Sequence, residues 1–345
     1  MKVSFLVTYY NQKGYVKQSI DSILAIDKPC DWEILIGDDG STDGTIDEIN
    51  KYIEQYPSKI KLYIMPREVG KKYDSVKRAS ANRLNVLQHS TGDIFCTLDG
   101  DDYFCDTEFI KEAIRVFNGN SNISVVAFGF KYFGDVEYEK EITLPASLNN
   151  KQVDKSYYLK KLYLPAGGCV HRNCFDNDRI EFIKKLGYFD DNNIVVNSLN
   201  YGEMFAINRP IYAYRQTVQS VYNSMNKLEQ AVLNVQGMDV DIKLVENELK
   251  LCIIKRYSSS ILLMFMWRKQ ILNVLGNDKY KKYCEGCITL KPSICYNILN
   301  YSNIDKNEFK NTNDMISKVI LLKPKLFLKE LINYWIRGEK VYEGK

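Results

Sequence analysis

Long apolar runs are missing from this chain. The longest, Ile261-Leu262-Leu263-Met264-Phe265-Met266-Trp267, has seven residues, far fewer than the roughly 20 a helix needs to span a bilayer. Met1-Lys2-Val3-Ser4-Phe5-Leu6-Val7 runs straight into a strand pattern, without a charged segment ahead of an apolar one, so no secretory signal is expected. Neither G-x-G-x-x-G after the first strand nor G-x-x-x-x-G-K-[ST] occurs, which removes the dinucleotide fingerprint and the P-loop. Cys284 and Cys287 make one Cys-x-x-Cys with Cys295 nearby, but no second pair follows at zinc-site spacing. Nine cysteines, an odd number with no secretory signal, read as reduced thiols of a cytoplasmic protein. A net charge of +4 is too small to call for a nucleic-acid partner.

What is present is globular. The 345 residues, 45% hydrophobic and 26% charged, suffice for one large domain or two smaller ones. Strand and helix patterns alternate from the start. Residues 3–10 are mostly apolar, the mark of a strand buried on both faces. A helical stretch with Val16, Ile20, Ile23 and Leu24 on one side follows. Trp32-Glu33-Ile34-Leu35-Ile36-Gly37 is a second strand. Ser41, Thr42 and Asp43 are suitable caps for a helix that buries Ile46, Ile49 and Ile53. Residues 60–64 alternate as a third strand, and residues 75–89 form a third helix with Val76, Ala79, Arg83, Val86 and Leu87 together. Ile94-Phe95-Cys96-Thr97-Leu98 is a fourth strand. This alternation calls for a mostly parallel α/β sheet with helices on both faces, and such sheets bind ligands beyond the carboxyl ends of their strands. There the polar residues gather: Thr8 and Tyr10, Asp38 and Asp39, Asp99 and Asp101.

The fourth strand ends in Asp99-Gly100-Asp101-Asp102. Three carboxylates so close repel one another and keep their charge most easily around a shared cation. Oxygen ligands on a tight turn suit Mg²⁺ or Mn²⁺, which bind through one or two carboxylates plus substrate phosphates. A solvated acidic turn is the alternative. A bound nucleotide would have its phosphate charge met by a metal and basic side chains, drawn from Arg67, Lys71, Lys72, Arg78 and Arg83.

Thr8-Tyr9-Tyr10-Asn11, Asp38-Asp39-Gly40-Ser41-Thr42-Asp43-Gly44-Thr45 and Leu98-Asp99-Gly100-Asp101-Asp102 together resemble glycosyltransferase family 2, with its GT-A fold, over about residues 1–220. The resemblance implies an inverting, nucleotide-sugar-dependent enzyme. Thr8, Tyr10 and Asp39 would frame the nucleobase and ribose, Asp99 would contact the ribose or sugar, and Asp101 would hold Mg²⁺ or Mn²⁺. Arg83 joins them as a donor contact. Asp38 and Asp102 would serve as supports or caps. In Gly187-Tyr188-Phe189-Asp190-Asp191, which precedes an apolar helical face at Val195, Val196 and Leu199, Asp191 matches the general base and Asp190 its neighbour. The pair also suits a helix cap. The glycines of Pro165-Ala166-Gly167-Gly168 would let backbone approach the donor sugar or simply make a turn. The resemblance places His171 on a strand rather than at the reaction centre, with direct catalysis as the alternative. Many relatives carry a histidine two residues beyond the arginine of Tyr214-Arg215, where this chain has Thr217.

Residues 1–222 are expected to form the transferase domain, with the donor half at 1–104 and the acceptor half at 105–222; residues 131–155 read as an irregular excursion. A helical region is expected over 223–345, where residues 314–337 are basic and amphipathic. Its interleaved lysines suit either an anionic membrane surface or packing with the lysines in water. The expected partners are a nucleotide-sugar donor and a glycan or lipid-linked glycan acceptor. The expected location is the cytoplasm, with possible peripheral contact on the inner face of the membrane. The rival readings are a sugar-nucleotide or glycan-binding protein without turnover and a metal-dependent phosphotransferase.

Overall fold

Apolar strands and the amphipathic helices between them build one mixed sheet. The computed structural model describes residues 1–68, 70–71, 73–134, 140–162, 164–216, 225–275, 294–299 and 306–337. They divide into two compact units, Met1–Tyr158 with Leu162–Thr217, and Leu159–Lys161 with Val218–Lys345.

In the first unit, β1 (Lys2–Tyr9), β2 (Asp31–Asp38), β3 (Ile60–Ile64) and β4 (Ile94–Asp99) are parallel, in the order β3-β2-β1-β4. Val3, Phe5, Leu6 and Val7 of β1 and Ile34, Leu35 and Ile36 of β2 are buried, because helices cover both faces of such a sheet. Helices α1 (Val16–Leu24), α2 (Thr45–Gln55) and α3 (Ser75–Leu87) make the crossovers. The register sets Thr8 of β1 between Gly37 of β2 and Asp99 of β4, so three strand tips end level.

Beyond β4 the sheet turns mixed. After β5 (Tyr103–Phe104) and α4 (Phe109–Gly119) come β6 (Ile123–Gly134), β9 (Cys169–Arg172) and β10 (Glu203–Gln216), with the helices α5 (Lys155–Lys161), α6 (Asn177–Leu186) and α7 (Asp191–Ser198) between them. β9 lies antiparallel between β4 and β6, while β10 runs parallel to β6 and antiparallel to β5. The described residues of 131–155 are not as irregular as their polarity suggests. β6 continues to Gly134, β7 (Lys140–Ile142) pairs with it, and β8 (Lys151–Val153) pairs with β10. Such strands keep polar side chains in water and draw their order from backbone bonds, β7 by folding back on the end of β6 just before it and β8 by pairing with the distant β10.

Two local expectations also change. The N-cap of α2 is Gly44 at φ 91°, while Asp43 accepts hydrogen bonds from the Thr45 N–H and hydroxyl. On α3, capped by Asp74, the buried set is Ser80, Asn82, Leu84, Val86 and Leu87, which turns Arg83 toward the strand tips.

The second unit is helical: α8 (Lys227–Leu244), α9 (Asn247–Met266), α10 (Arg268–Leu275), α11 (Ile294–Leu299), α12 (Lys306–Leu322) and α13 (Pro324–Arg337). The amphipathic stretch 314–337 is divided between α12 and α13, because Pro324 lacks the N–H and has the ring clash that stop a helix interior. Cys284, Cys287 and Thr217 lie outside the described residues.

Candidate active site

The tips of β1, β2 and β4 are laced together by their own backbone. Asp39 N–H donates to the Tyr9 carbonyl (3.0 Å), Gly100 N–H to the Thr8 carbonyl (2.9 Å) and Asp102 N–H to the Asp99 carbonyl (2.9 Å). The Thr8 hydroxyl donates to Asp99 Oδ1 at 3.2 Å. Only glycine fits at position 100, since an added Cβ would lie 2.1 Å from the Tyr9 ring. Thr8, Asp39, Asp99 and Asp101 therefore share one edge of the sheet, and Tyr10 stands next to them, exposed.

Asp39 is nearly fully buried and bound by two arginines. Arg67 donates to its carbonyl (2.7 Å) and to Oδ2, and Arg78 donates to Oδ1 and to the Met65 carbonyl (2.8 Å). The Arg67 guanidinium lies 3.9 Å from the centre of the Tyr10 ring, and Arg78 lies 4.9 Å from that of Tyr73, distances at which cations attract aromatic faces. Of the five candidate basic residues, Arg67, Arg78 and Arg83 reach the strand tips. Lys71 pairs with Glu68, and Lys72 is outside the described residues. Sequence reasoning did not single out Tyr73. Asp38 is fully buried and accepts from the Ser41 N–H (2.7 Å) and hydroxyl (2.6 Å), holding the turn after β2.

In the acidic turn, burial and then the charge of Asp99 push the Asp101 carboxyl up to about 6, against the pull of Arg215 and a hydrogen bond with Gln12. Asp102 is pushed well above the usual carboxylate range by burial, Asp101 and Asp99. Its Oδ1 accepts from Arg215 N–H (2.7 Å), while its buried Oδ2 has no partner among the described residues. Arg215 also donates to the Asp101 carbonyl (2.8 Å) and to Gln18 (2.7 Å). The arginine of β10 thus braces the turn from behind, a contact between residues more than a hundred positions apart.

Helix α7 (Asp191–Ser198) brings the second acidic pair. Asp190 is its N-cap in a capping box with Asn193, accepting from Asn193 N–H (2.9 Å), and its other oxygen accepts from the Tyr188 hydroxyl (2.9 Å). Asp191, one residue on, has Oδ1 3.2 Å from Arg83 Nε. The same guanidinium donates from Nη2 to both oxygens of Asp99 (3.2 and 3.3 Å). Burial works against the Arg83 charge, but Asp99 and then Asp191 hold its pKa above the ordinary value. One arginine on α3 thereby joins the tip of β4 to the first turn of α7.

His171 sits in β9, stacked on Phe95 (4.9 Å between ring centres) with Nδ1 3.0 Å from the Ser198 hydroxyl. Burial pushes its pKa down to about 3, so it is a neutral core residue, as its strand position implied. Gly167 lies under the Tyr212 ring, where a Cβ would come within 2.7 Å; the glycine serves close packing there.

The family model for glycosyl transferase family 2 matches residues 4–176. A relative described as "Putative glycosyltransferase EpsE" from Bacillus subtilis (strain 168) is 30% identical over 145 residues, 42% of this chain and 49% of the relative. The "Putative teichuronic acid biosynthesis glycosyltransferase TuaG" of the same organism is 26% identical over 146 residues, 42% of this chain and 54% of the relative. The alignments thus span about half the length of these relatives. Among solved structures, S. aureus TarS 1-349 in complex with UDP-GlcNAc superposes with a TM-score of 0.50 at 17% identity, covering 83% of this chain and 90% of that one. That likeness is one of fold: a GT-A-like sheet with flanking helices followed by a helical region. With half of its length matched by the family model, and that half holding all three strand tips, the chain belongs to glycosyl transferase family 2.

Proposed function

We propose that this protein is an inverting glycosyltransferase that moves a sugar from a nucleotide diphosphate sugar, UDP-linked by first choice, to a hydroxyl of a glycan acceptor. The observation that carries the reading is the Arg83 junction, where the donor-side carboxylate Asp99 and the helix-initiating carboxylate Asp191 meet on one guanidinium. Thr8, Tyr10 and Asp39 frame the nucleobase and ribose, with Asp99 and Arg83 on the ribose and sugar side. TarS, solved in complex with UDP-GlcNAc, is in line with a UDP donor. The acceptor class, a bacterial surface polysaccharide or its lipid-linked precursor met in the cytoplasm, leans on the name of TuaG.

The residues present fit a divalent cation. A carboxyl held near 6 by burial and a neighbouring charge is a group that a cation would ionise, and its oxygens suit Mg²⁺ or Mn²⁺. Among the described residues, no group of three or more His, Cys, Asp or Glu side chains could hold a metal; an ion here would be held by Asp101 together with the donor phosphates. When bound, such an ion neutralises the charge that develops on the departing diphosphate. Asp191 takes the proton of the acceptor hydroxyl as its oxygen bonds to the anomeric carbon. The bond from that carbon to the diphosphate breaks on the opposite side, so a single displacement inverts the configuration. Asp190 is engaged as the helix cap, which leaves the base role to Asp191.

Incubation with UDP-sugars and Mn²⁺ tests the reading through release of UDP with sugar transferred to an acceptor or to water. Asp101→Ala should lower that rate at least about a hundredfold, the scale of losing one charge-stabilising contact. Release of orthophosphate would replace the reading with phosphoryl transfer. Tight donor binding without any turnover would replace it with a binding protein.

A further inference from the structure

The second unit carries an outward face with an unusual composition. Leu321 is 81% exposed, Leu328 55% and Ile332 54%, a set of large apolar side chains that single surface leucines elsewhere do not match. Lys318, Lys323, Lys325 and Lys329 stand exposed among them. Over residues 317–333 the only carboxylate is Glu330, and it is turned inward: it is nearly fully buried and accepts from Trp267 Nε1 at 3.1 Å. That bond fixes the rotation of α13. Lys325, Leu328, Lys329 and Ile332, spaced i, i+3, i+4 and i+7, form one face away from Glu330. Helical bonding runs up to the Pro324 break and resumes directly after it: Lys323 N–H donates to Val319 and its carbonyl accepts from Phe327 N–H, both at 3.0 Å. Leu321 in the last turn of α12 therefore leads into the same stretch.

We propose that this face docks on an anionic lipid surface, with Leu321, Leu328 and Ile332 entering the headgroup boundary and Lys323, Lys325 and Lys329 meeting lipid phosphates. Interleaving of lysine with exposed aliphatic side chains is what an interfacial helix presents. No described helix is long and apolar enough to cross a membrane, so the contact is peripheral. A second copy of the chain is the poorer occupant, because a two-fold contact sets the same patch against itself and would oppose lysine to lysine with no carboxylate between them. The proposal stands apart from the transferase reading, since none of these residues belongs to the strand-tip site.

Co-sedimentation of the full chain with vesicles decides it. Vesicles of three parts phosphatidylcholine to one part phosphatidylglycerol should bind the protein at low salt, and vesicles of phosphatidylcholine alone should bind it far less. Changing Lys323, Lys325 and Lys329 together to Gln should weaken binding about a hundredfold, from about fivefold per lysine. Changing Leu321, Leu328 and Ile332 together to Ser should weaken it at least about tenfold. All six positions are exposed, so circular dichroism and donor turnover without vesicles should be unchanged in both variants. The proposal is overturned if the protein ignores anionic vesicles at low salt or if both variants bind like the parent. It is equally overturned if ultracentrifugation finds a dimer that the Ser variant turns into monomer.

Discussion

The two units treat buried carboxylates in opposite ways. At the strand tips Asp99, Asp101 and Asp102 crowd together: burial and then Asp99 push Asp101 upward, and burial, Asp101 and Asp99 push Asp102 upward. In the helical unit, among the described residues, the buried Asp241 accepts from the Tyr257 hydroxyl (3.1 Å), and two further acids have donors of their own. Glu330 takes the Trp267 indole N–H, and Asp239 on α8 accepts the first two N–H groups of α11, Ile294 (2.8 Å) and Cys295 (3.0 Å). An acid with dedicated donors satisfies groups that would otherwise be orphaned, which is the work of a scaffold. Crowded acids of one sign repel one another, and here Arg83 and Arg215 answer only part of that charge, since Asp101 and Asp102 stay above the usual range; such a place is a candidate for a ligand that completes it.

Substitutions on each side should therefore fail differently. The largest effect belongs to Asp191→Asn, which keeps the shape and removes the proton acceptor. Transfer should fall at least about a thousandfold, while donor affinity by calorimetry stays within about threefold. Near-normal transfer would move the base elsewhere and dissolve the contrast. Arg83→Met comes next, because it leaves Asp99 and Asp191 without their shared cation. Turnover should drop about a hundredfold and denaturant unfolding should show a loss of about 2 kcal/mol, reduced from the cost of breaking a fully buried pair since these groups are partly solvated. Arg83→Lys should recover part of the stability but little of the rate, as it lacks the fork that serves two carboxylates.

The smallest effect tests the scaffold side. Burial raises the Asp239 carboxyl from 3.8 to about 6, partly offset by its two backbone bonds. The folded state thus binds the proton more tightly than the unfolded chain. The stability from this group is full below about pH 4 and is lost as the pH rises through about 6. Relative to Asp239→Asn, the parent should lose of order 2 kcal/mol between pH 4 and pH 7, read from denaturant melts at both pH values, with donor turnover unaffected at pH 7. Parallel stability curves would mean that Asp239 is solvated and is no scaffold acid.

Much of the strand-tip architecture was legible because it depends on local signals. Apolar strands, amphipathic helices and polar residues at the carboxyl ends are properties of short windows, and parallel pairing then fixes which ends meet. That Asp190 and not Asp191 caps α7 was also decidable in principle: Asp190 followed three residues later by Asn193 is a capping-box spacing. The arginines were a different matter. Arg67 and Arg78 find Asp39 across 28 and 39 residues, and nothing local distinguishes them from Lys71. The described part of 131–155 was misread partly for the same reason, since β8 exists only through the distant β10, while β7 is a three-residue strand too short and too polar to stand out before it folds back on β6. The break at Lys323-Pro324 was written in the sequence and was overridden by an apolar rhythm that continues across it.

The most direct measurement is a crystal grown with UDP and Mn²⁺ and examined for anomalous scattering. The account predicts a manganese peak within coordinating distance of the Asp101 carboxylate, with the nucleobase beside Tyr10 and Asp39. A nucleotide and metal bound away from the tips of β1, β2 and β4 would contradict it.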